Sequence, residues 1–358
     1  MADDTACEPF GTLPDGRQVE AHLLTNDCGT RVRVLTYGGI VQSLEVPAAT
    51  GRPRNVVLGF PRLEDYVARS PYFGAIIGRF ANRIAGGRFE LDGTTVEVPV
   101  NEPPSSVHGG DRGFDKQLWE AEPVAGDGWT GIRLHHLSRH GDQGYPGGLD
   151  TVVTYRLSTD RPTLRVDYHA TTDRPTVVNL TNHSYVNLTG EGSGSVLDHE
   201  VTLNARRYLP VDADLLPTGE IEDVAGTVMD FRSPHTLGER IRSGAEQLLL
   251  ARGYDHTFVI DRDGLQPEAL AFAARVREPG SGLTLEVWTT EPGLDVYAGN
   301  FLDGSLVGTG GTAYRQSDGL ALEPEHFSNS PNVPHFPSTW LDPGQVYSSS
   351  TEYRFSSR

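Results

Sequence analysis

Five short stretches of the sequence combine ionisable or amide side chains with aromatic residues or glycines. They are GRFANRIAGG (78–87), SSVHGGDRGFDK (105–116), NLTNHSY (179–185), GYDHTF (253–258) and ALEPEHF (321–327). A sugar offers hydroxyl groups for charge-assisted hydrogen bonds and apolar C–H faces for stacking on rings. These residue types therefore indicate a site for a polyhydroxylated ligand, if the fold brings the stretches together.

The segment NLTNHSYVNLT (179–189) contains three N-x-S/T sequons, at Asn179, Asn182 and Asn187. In a secreted protein such sequons accept glycans. The same segment also fits a strand whose polar side chains form hydrogen bonds around His183. The N-terminal sequence MADDTACEPFGTLPDG has neither the basic region nor the apolar region of a signal peptide, so we expect a cytoplasmic protein and favour the strand.

Alternating apolar and polar residues predict the strands that must position these stretches. The pattern is clear at 31–46, 163–172, 283–290 and 320–327. Asp-Gly steps predict turns, and they begin at Asp15, Asp92, Asp127, Asp263, Asp303 and Asp318. Two short helices are predicted at 62–70 and 236–252, the second with Thr236 as N-cap three residues before Glu239.

The composition agrees with an all-β chain. The 358 residues include 41 glycines and 24 prolines, which is typical of many strands joined by turns. Without a tandem repeat or a long Gly/Ser linker, residues 1–358 are interpreted as a single large all-β domain. No run approaches the roughly 18 apolar residues of a membrane helix, so we expect no membrane partner.

The formal net charge of −18 is spread along the chain, which favours solubility and makes nucleic acid an unsuitable partner. The two cysteines, Cys7 and Cys28, are expected to be free thiols in a reducing compartment. Lys116, the only lysine, is expected to be an ion-pair partner of Asp115 or Asp111.

In their order along the chain, the motifs resemble those of the aldose 1-epimerase, or galactose mutarotase, family. They are GRFANRIAGGRFELDG, VHGGDRGFDKQLW, GYPGGLDTVVTY, NLTNHSYVNL, LPVDADLLPTGEI, GYDHTF, YAGNFLDG and LEPEHFSNSPNVPHFPSTWLDPG. The match runs from about residue 35 to the C-terminus, and its spacing is more specific than any one motif. The resemblance implies a large antiparallel β-sandwich, the supersandwich of that family, with a few short helices and an open sugar cleft.

The resemblance also implies roles for individual residues. Glu323 would be the general base and His183 the general acid. Sugar-binding positions would be Asn82, Arg83, His108, Tyr185, Asp255 and Asp295. The substrate would be an aldose such as galactose or glucose, without a metal or organic cofactor, and the chain would act as a monomer or a homodimer.

This chemistry requires one acid and one base. Interconverting the α and β anomers removes a proton from the C1 hydroxyl and gives one to the ring oxygen, which opens the C1–O5 bond. After rotation about C1–C2 the ring closes on its other face by the reverse transfers. An ionised glutamate and a protonated histidine would serve near neutral pH.

Other interpretations of the same residues stay open at this stage. Glu325, two residues from Glu323 on the same strand face, is a rival base. Arg79 and Arg83 could form ion pairs, and a single histidine is more often packed than catalytic. A metal site of His135, His136 and His140 is disfavoured, because residues i, i+1 and i+5 of a strand do not converge.

Two other classes of protein also remain. A carbohydrate-binding protein would use the same contacts without turnover, although the presence of both Glu323 and His183 argues against it. A glycoside hydrolase could use Glu323 and Asp255 as its carboxylate pair. The chain also departs from the family at Glu102-Pro103, Val186 and Pro324, and Val186 is expected to remove a ring beside the cleft.

Overall fold

The architecture is known from a computed structural model, which describes residues 5–48 and 53–357. The strands are β1 Thr5–Thr12, β2 Gln18–Thr25, β3 Arg31–Leu35, β4 Val41–Val46, β5 Arg54–Asn55, β6 Ile76–Ile77, β7 Arg83–Ala85, β8 Arg88–Leu91, β9 Thr94–Glu97, β10 Ser105–Val107, β11 Glu120–Gly126, β12 Trp129–Ser138, β13 Leu149–Ser158, β14 Thr163–Thr172, β15 Thr176–Val177, β16 Thr181–Asn182, β17 Tyr185–Val186, β18 Glu200–Leu203, β19 Ala205–Tyr208, β20 Glu222–Asp223, β21 His235–Thr236, β22 Asp255–Ile260, β23 Ala271–Arg277, β24 Leu283–Thr289, β25 Gly293–Tyr297, β26 Asp303–Val307, β27 Ala313–Arg315, β28 Leu320–Glu325, β29 Trp340–Leu341 and β30 Tyr347–Ser357. The α-helices are α1 Leu63–Arg69 and α2 Glu246–Ala251, and 3₁₀ turns span Phe114–Lys116, Asp142–Gly144, Leu237–Glu239 and Ser330–Asn332.

Three antiparallel sheets contain most of these strands. The largest has nine strands in the order β11-β12-β13-β14-β30-β24-β23-β18-β21. A six-stranded sheet has the order β17-β28-β25-β22-β19-β20, and an N-terminal sheet has the order β1-β2-β3-β4-β5. The predicted all-β sandwich with few helices is therefore confirmed.

One hydrophobic cluster joins the nine-stranded and six-stranded sheets. Alternate residues of β24, such as Leu285 and Val287, are fully buried and pack in the same cluster as Leu294 of β25 and Leu322 of β28. Burying one such side chain contributes about 1.5–3 kcal/mol. Apolar side chains on the inner faces of the two sheets thus pack against each other. This packing fixes the position of the six-stranded sheet, which carries the site.

The predicted strands are found, with one subdivision. The segments at 163–172, 283–290 and 320–327 contain β14, β24 and β28. The segment at 31–46 forms the hairpin β3–β4, because Gly38 and Gly39 turn the chain with φ of 66° and 57°. A Cβ on Gly39 would lie 2.2 Å from Cδ1 of Ile76, so the turn requires a glycine there.

The helix predicted at 62–70 is confirmed as α1, whereas the helix predicted at 236–252 is wrong in its first half. Thr236 belongs to β21 and pairs with Glu200, and its side chain caps nothing. The backbone N–H groups of Leu237 and Gly238 donate to the carbonyls of His199 and Leu197. The segment is thus tied to β18 and to the turn before it, so only a 3₁₀ turn forms at Leu237–Glu239, and α2 begins at Glu246.

Most of the predicted Asp-Gly turns are present. The chain turns at Asp15, Asp92, Asp127 and Asp263, and each following glycine has positive φ. The step at Asp303 is different, since it lies within β26 at a register shift between Asp303 and Leu306. An Asp-Gly pair that bulges within a strand has the same local sequence as one that turns the chain.

No helix in the described part of the chain is long and apolar enough to cross a membrane. Cys7 and Cys28 are free thiols, as predicted. The interpretation of residues 1–358 as one domain stays a prediction.

Candidate active site

The predicted site residues converge on one cleft. The wall of this cleft contains Pro71, Tyr72, Asn82, Arg83, Glu102, Val107, His108, His183, Tyr185, Asp255, Asp295, Tyr297, Phe301 and Glu323. All eight site residues named from the sequence are among them. The polar stretches that lie far apart in the chain are therefore neighbours in space.

Four adjacent strands of the six-stranded sheet supply one side of the cleft. β17, β28, β25 and β22 carry Tyr185, Glu323, Asp295 and Asp255 respectively. Asp295 is directly opposite Glu323 in the β25–β28 register, and directly opposed residues project from the same face of a sheet. The sheet therefore holds these carboxyl groups at fixed spacing.

Loops outside this sheet supply the opposite side, and three of them have unusual backbone geometry. Tyr72, Asn82 and His108 have φ of 67°, 66° and 53°, a region that L-residues other than asparagine, aspartate and histidine seldom adopt. The backbone N–H of Asn82 donates to Nδ1 of His108 at 3.1 Å. This bond leaves Nε2 as the nitrogen of His108 that can carry its proton.

The central pair of the cleft is His183 and Glu323. Nε2 of His183 lies 3.4 Å from Oε1 of Glu323, and both side chains are 5% exposed. The imidazole stacks on Tyr185 at 4.8 Å and faces Tyr72 at 5.7 Å between ring centroids. Nδ1 of His183 and Oε2 of Glu323 are buried and have no hydrogen-bond partner among the described residues.

Burial changes the expected protonation of this pair. It lowers the pKa of His183 to about 3, and, with the nearby Glu325, it raises the pKa of Glu323 well above its usual range. The expected ionised glutamate and protonated histidine are thus not the protonation states that these pKa shifts favour. The expected state and the state favoured by burial each have one proton shared between Glu323 and His183. In the state favoured by burial, that proton is on the carboxyl group of Glu323.

Three further carboxyl groups lie beside this pair. Nδ2 of Asn82 donates to Oδ2 of Asp295 at 3.0 Å and to Oε1 of Glu325 at 2.9 Å. Burial raises the pKa of Asp255 to about 7, although Arg83 opposes this shift. Carboxyl groups this close cannot all ionise without large repulsion, so the cleft retains protons near neutral pH.

Among the described residues, Arg83 is the arginine that lines the cleft. Its guanidinium is 3.1 Å from Glu102 and 3.9 Å from Asp255. Arg79, by contrast, donates to the backbone carbonyls of Ser138 and Pro146 away from the cleft. The two arginines of one motif thus have different roles, and the ion-pair interpretation fits Arg83.

The structure separates Glu323 from its rival Glu325. Glu325 is fully buried and accepts the amide of Asn82, whereas Glu323 lines the cleft. Val186 also differs from expectation, because it packs in the main hydrophobic cluster and not in the cleft. The expected loss of a ring beside the sugar is therefore wrong, since alternation turns Tyr185 and Val186 to opposite sides.

Sequence reasoning missed six residues of the wall: Pro71, Tyr72, Glu102, Val107, Tyr297 and Phe301. Phe301 is 50% exposed, which offers an aromatic face at the mouth, and its ring stacks on Tyr297. The phenylalanine in YAGNFLDG (297–304) was a usable signal, because aromatic rings suit the apolar faces of sugars. Tyr72 had no such signal.

The three sequon asparagines are buried, with exposures of 0–2%. Asn179 bonds to Ala81 and His326, Asn182 to Gly74 and Tyr155, and Asn187 to Gly194 and Asp318. The interpretation as hydrogen-bonding support is confirmed. The predicted single strand is wrong, because the segment contains the short strands β16 and β17.

Lys116 forms the expected ion pair, and the side chains of His135, His136 and His140 do not face a common point. Lys116 pairs with Asp115 at 3.6 Å and donates to the backbone carbonyl of Asp111. The histidines face different partners: His135 contacts Glu120 and Asp150, His136 packs on Phe114 and Trp119, and His140 accepts from Gly147.

Within the cleft, His108, His183 and Glu323 could approach a metal ion. One ligand atom from each lies within 4.8 Å of the others. Two of these side chains, His183 and Glu323, are also the predicted acid and base. That the site needs no metal or organic cofactor stays a prediction.

The geometry agrees with comparisons to known proteins. The aldose 1-epimerase family model matches residues 20–354. The chain is 45% identical to galactose mutarotase of Sus scrofa and 43% identical to that of Homo sapiens, in each case over 97% of both chains. It is 38% identical to aldose 1-epimerase of Escherichia coli K12 over 96% of both chains.

Solved structures agree. The GalM/aldose epimerase homologue from C. elegans has a TM-score of 0.84 at 31% identity and covers 94% of this chain and 99% of its own. Galactose 1-epimerase from Lactobacillus acidophilus has a TM-score of 0.86 at 26% identity, covering 99% of this chain and 98% of its own. The chain belongs to the aldose 1-epimerase family.

Proposed function

We propose that the protein is an aldose 1-epimerase that interconverts the α and β anomers of hexoses such as galactose and glucose. The observation that carries the proposal is the 3.4 Å contact between Nε2 of His183 and Oε1 of Glu323 in the wall of a polar, ring-lined cleft. The names of the relatives, galactose mutarotase and aldose 1-epimerase, support the same reaction.

In this proposal Glu323 is the general base and His183 the general acid. The carboxylate removes the proton of the C1 hydroxyl while the imidazolium protonates O5, so the C1–O5 bond breaks and an aldehyde forms. Rotation about C1–C2 presents the other face of the carbonyl to the O5 hydroxyl. Reclosure then returns both protons by the reverse transfers, and the enzyme ends in its starting state.

The resting proton must move before the first transfer. Burial favours the proton on Glu323, whereas the proposed roles require it on His183. A bound sugar supports the move, because its C1 hydroxyl donates to the ionised carboxylate and its O5 accepts from the imidazolium. The pair needs no proton from solvent, because Glu323 and His183 together carry one proton before and after the move.

The remaining side chains of the cleft would hold the sugar. Arg83, His108 and Asp255 offer two donors and one carboxyl group to the ring hydroxyls, and Phe301 offers an apolar face. Groups fixed in advance towards the developing charge on O5 lower the barrier without reorganising. The tight packing of His183 between two tyrosine rings limits its movement, as efficient proton transfer requires.

Polarimetry of freshly dissolved α-D-galactose or α-D-glucose tests the proposal. The protein should speed the relaxation of optical rotation well above the buffer rate, and Glu323→Gln and His183→Asn should remove most of the gain. Glu122→Gln, at an exposed position on β11, is the matched control and should keep full activity. Relaxation at the buffer rate would refute the proposal.

The same samples distinguish the two other classes. A carbohydrate-binding protein would bind the sugar without changing the relaxation rate. A glycoside hydrolase using Glu323 and Asp255 would release the aglycone of an aryl glycoside, and Asp255→Asn would stop that release.

A further inference from the structure

A second group of side chains with ligand chemistry lies away from the cleft, on the N-terminal sheet. Cys7 of β1 and His22 of β2 are directly opposite each other in the antiparallel register. Glu20 precedes His22 by two residues on β2 and so projects from the same face. The sheet itself therefore brings a thiol, an imidazole and a carboxylate together.

The distances between these atoms fit the space around one small cation. Sγ of Cys7 is 3.9 Å from Nε2 of His22, and Nε2 of His22 is 3.4 Å from Oε2 of Glu20. One ligand atom from each residue lies within 4.8 Å of the others. With metal–ligand bonds of about 2.0–2.3 Å, tetrahedral geometry puts neighbouring ligand atoms roughly 3.3–3.6 Å apart, so small side-chain movements close the site.

We propose that Cys7, Glu20 and His22 form a binding site for a tetrahedral divalent transition-metal ion such as Zn²⁺, with water as the fourth ligand. Thiolate, imidazole and carboxylate are the donors that zinc accepts in proteins. On binding, the thiol loses its proton to solvent, and the two negative ligands then balance the charge of the ion.

Exposure supports an open fourth position. Cys7 is exposed and the Glu20 side chain is 52% exposed, whereas His22 is buried. The imidazole therefore anchors the site and the other two ligands can adjust around the ion. The carboxylate of the adjacent Glu8 pairs with Arg33, so it does not compete for the metal.

The surroundings of His22 limit the affinity. Its Nδ1 is buried without a hydrogen-bond partner in the described part of the chain, although a metal on Nε2 requires the proton to be on Nδ1. The five-stranded sheet is also held to the main hydrophobic cluster through Leu24, Val32 and Val34. The site thus binds an exchangeable ion that tightens β1 against β2, rather than an ion on which folding depends.

This site differs in charge from the trio in the cleft. Cys7 and Glu20 supply two negative ligands, whereas His108, His183 and Glu323 supply one, beside the cation of Arg83. A thiolate also gives a spectroscopic signal that no ligand of the cleft can give. The two sites can therefore be distinguished in one sample, whether or not the protein proves to be an epimerase.

Titration of the full chain with Co²⁺, under a reductant without thiol groups, tests the proposal. We expect a thiolate-to-cobalt charge-transfer band that saturates at one ion per chain and that Zn²⁺ displaces. Cys7→Ser should abolish the band, and Glu20→Gln should weaken binding, because a carboxamide brings no negative charge to the ion. Cys28→Ser, which removes the other thiol, and Glu323→Gln, which alters the cleft, should keep it.

Two results would overturn the site: absence of the band in the wild-type chain at stoichiometric cobalt, or an unchanged band in Cys7→Ser. His22→Gln should also lose the band. Because His22 is buried, its fold is checked by circular dichroism, and the exposed Cys7→Ser keeps the test decisive if His22→Gln does not fold. Chelation should remove the ion and leave the wild-type chain folded.

Discussion

Two buried polar regions of the molecule lie side by side and differ in how their polar atoms are satisfied. The sequon asparagines, Asn179, Asn182 and Asn187, have protein partners for their side-chain amides. The catalytic pair proposed here, His183 and Glu323, retains buried atoms without such partners. Leaving a buried polar group unpaired costs about 1–3 kcal/mol, so the amides add to the stability of the fold whereas the unpaired atoms of the pair lower it.

The comparison gives a practical criterion for this chain. Asn182 and His183 are adjacent in sequence, and both are buried in the same short segment. Removing the first should affect stability, whereas removing the second should affect turnover. Four experiments test this separation, beginning with the largest effect.

Glu323→Gln should lower kcat/KM for anomer interconversion by about 10²- to 10⁴-fold, because the base is lost while its shape is kept. The melting temperature should stay level or rise, since the substitution removes a carboxyl group crowded by Glu325. Polarimetry and thermal unfolding measure the two effects. A destabilised but active variant would reverse the assignment of this region.

Asn182→Ala should destabilise the protein by about 1–3 kcal/mol or more, because its amide donates to the carbonyl of Gly74 and to the hydroxyl of Tyr155. Turnover per folded molecule should change little. Urea unfolding measures the stability, and polarimetry on the folded fraction measures the activity. If turnover collapsed at unchanged stability, Asn182 would belong to the site and not to its support.

The pH dependence should show the buried character of His183. Since its pKa is lowered to about 3, the ring stays neutral in the free enzyme as the pH falls, and the singly protonated pair persists. We therefore expect no change in kcat/KM from charging of His183 between about pH 7 and about pH 5, and the group that titrates in that range is Asp255, whose pKa burial raises to about 7. NMR titration of the ring, assigned with His183→Asn, checks this. A midpoint near the ordinary histidine value of about 6.5 would contradict it.

Glu102→Gln should have the smallest effect. Its carboxylate pairs with Arg83 at 3.1 Å but is 56% exposed, and exposed pairs contribute about 0.2–1 kcal/mol. KM for galactose should change less than about fivefold, with kcat unaffected. Arg83→Gln is the matched comparison, because it also removes the contact with Asp255 and should raise KM further. A loss of kcat in Glu102→Gln would move this residue into the catalytic group.

Much of the fold and the site could be predicted from the sequence, because the relevant signals are local. Period-two alternation identified β14, β24 and β28, and the motif order located all eight residues that the cleft brings together. What failed depended on tertiary contacts. The helix expected from Thr236 did not form because β18 takes that segment as a partner, and no local pattern contains that information.

The protonation of the site could not be predicted for the same reason. A histidine and a glutamate have ordinary pKa values as isolated residues, and only burial among other carboxyl groups shifts them. The same holds for the metal site proposed on the N-terminal sheet. Cys7 and Glu20 are separated in sequence, and only the β1–β2 register shows that they are close in space. The residue types can be read from the sequence, but the environment of each side chain is known only from the structure.

The left-handed backbone of Tyr72, Asn82 and His108 has a consequence for how the cleft is lost. An unfolded chain rarely visits this conformation at three separate loops, so the surrounding protein must impose it. We therefore expect that peptides carrying these motifs bind no sugar, and that denaturant abolishes binding and folding in one transition. The recognition surface exists only as long as the whole sandwich does.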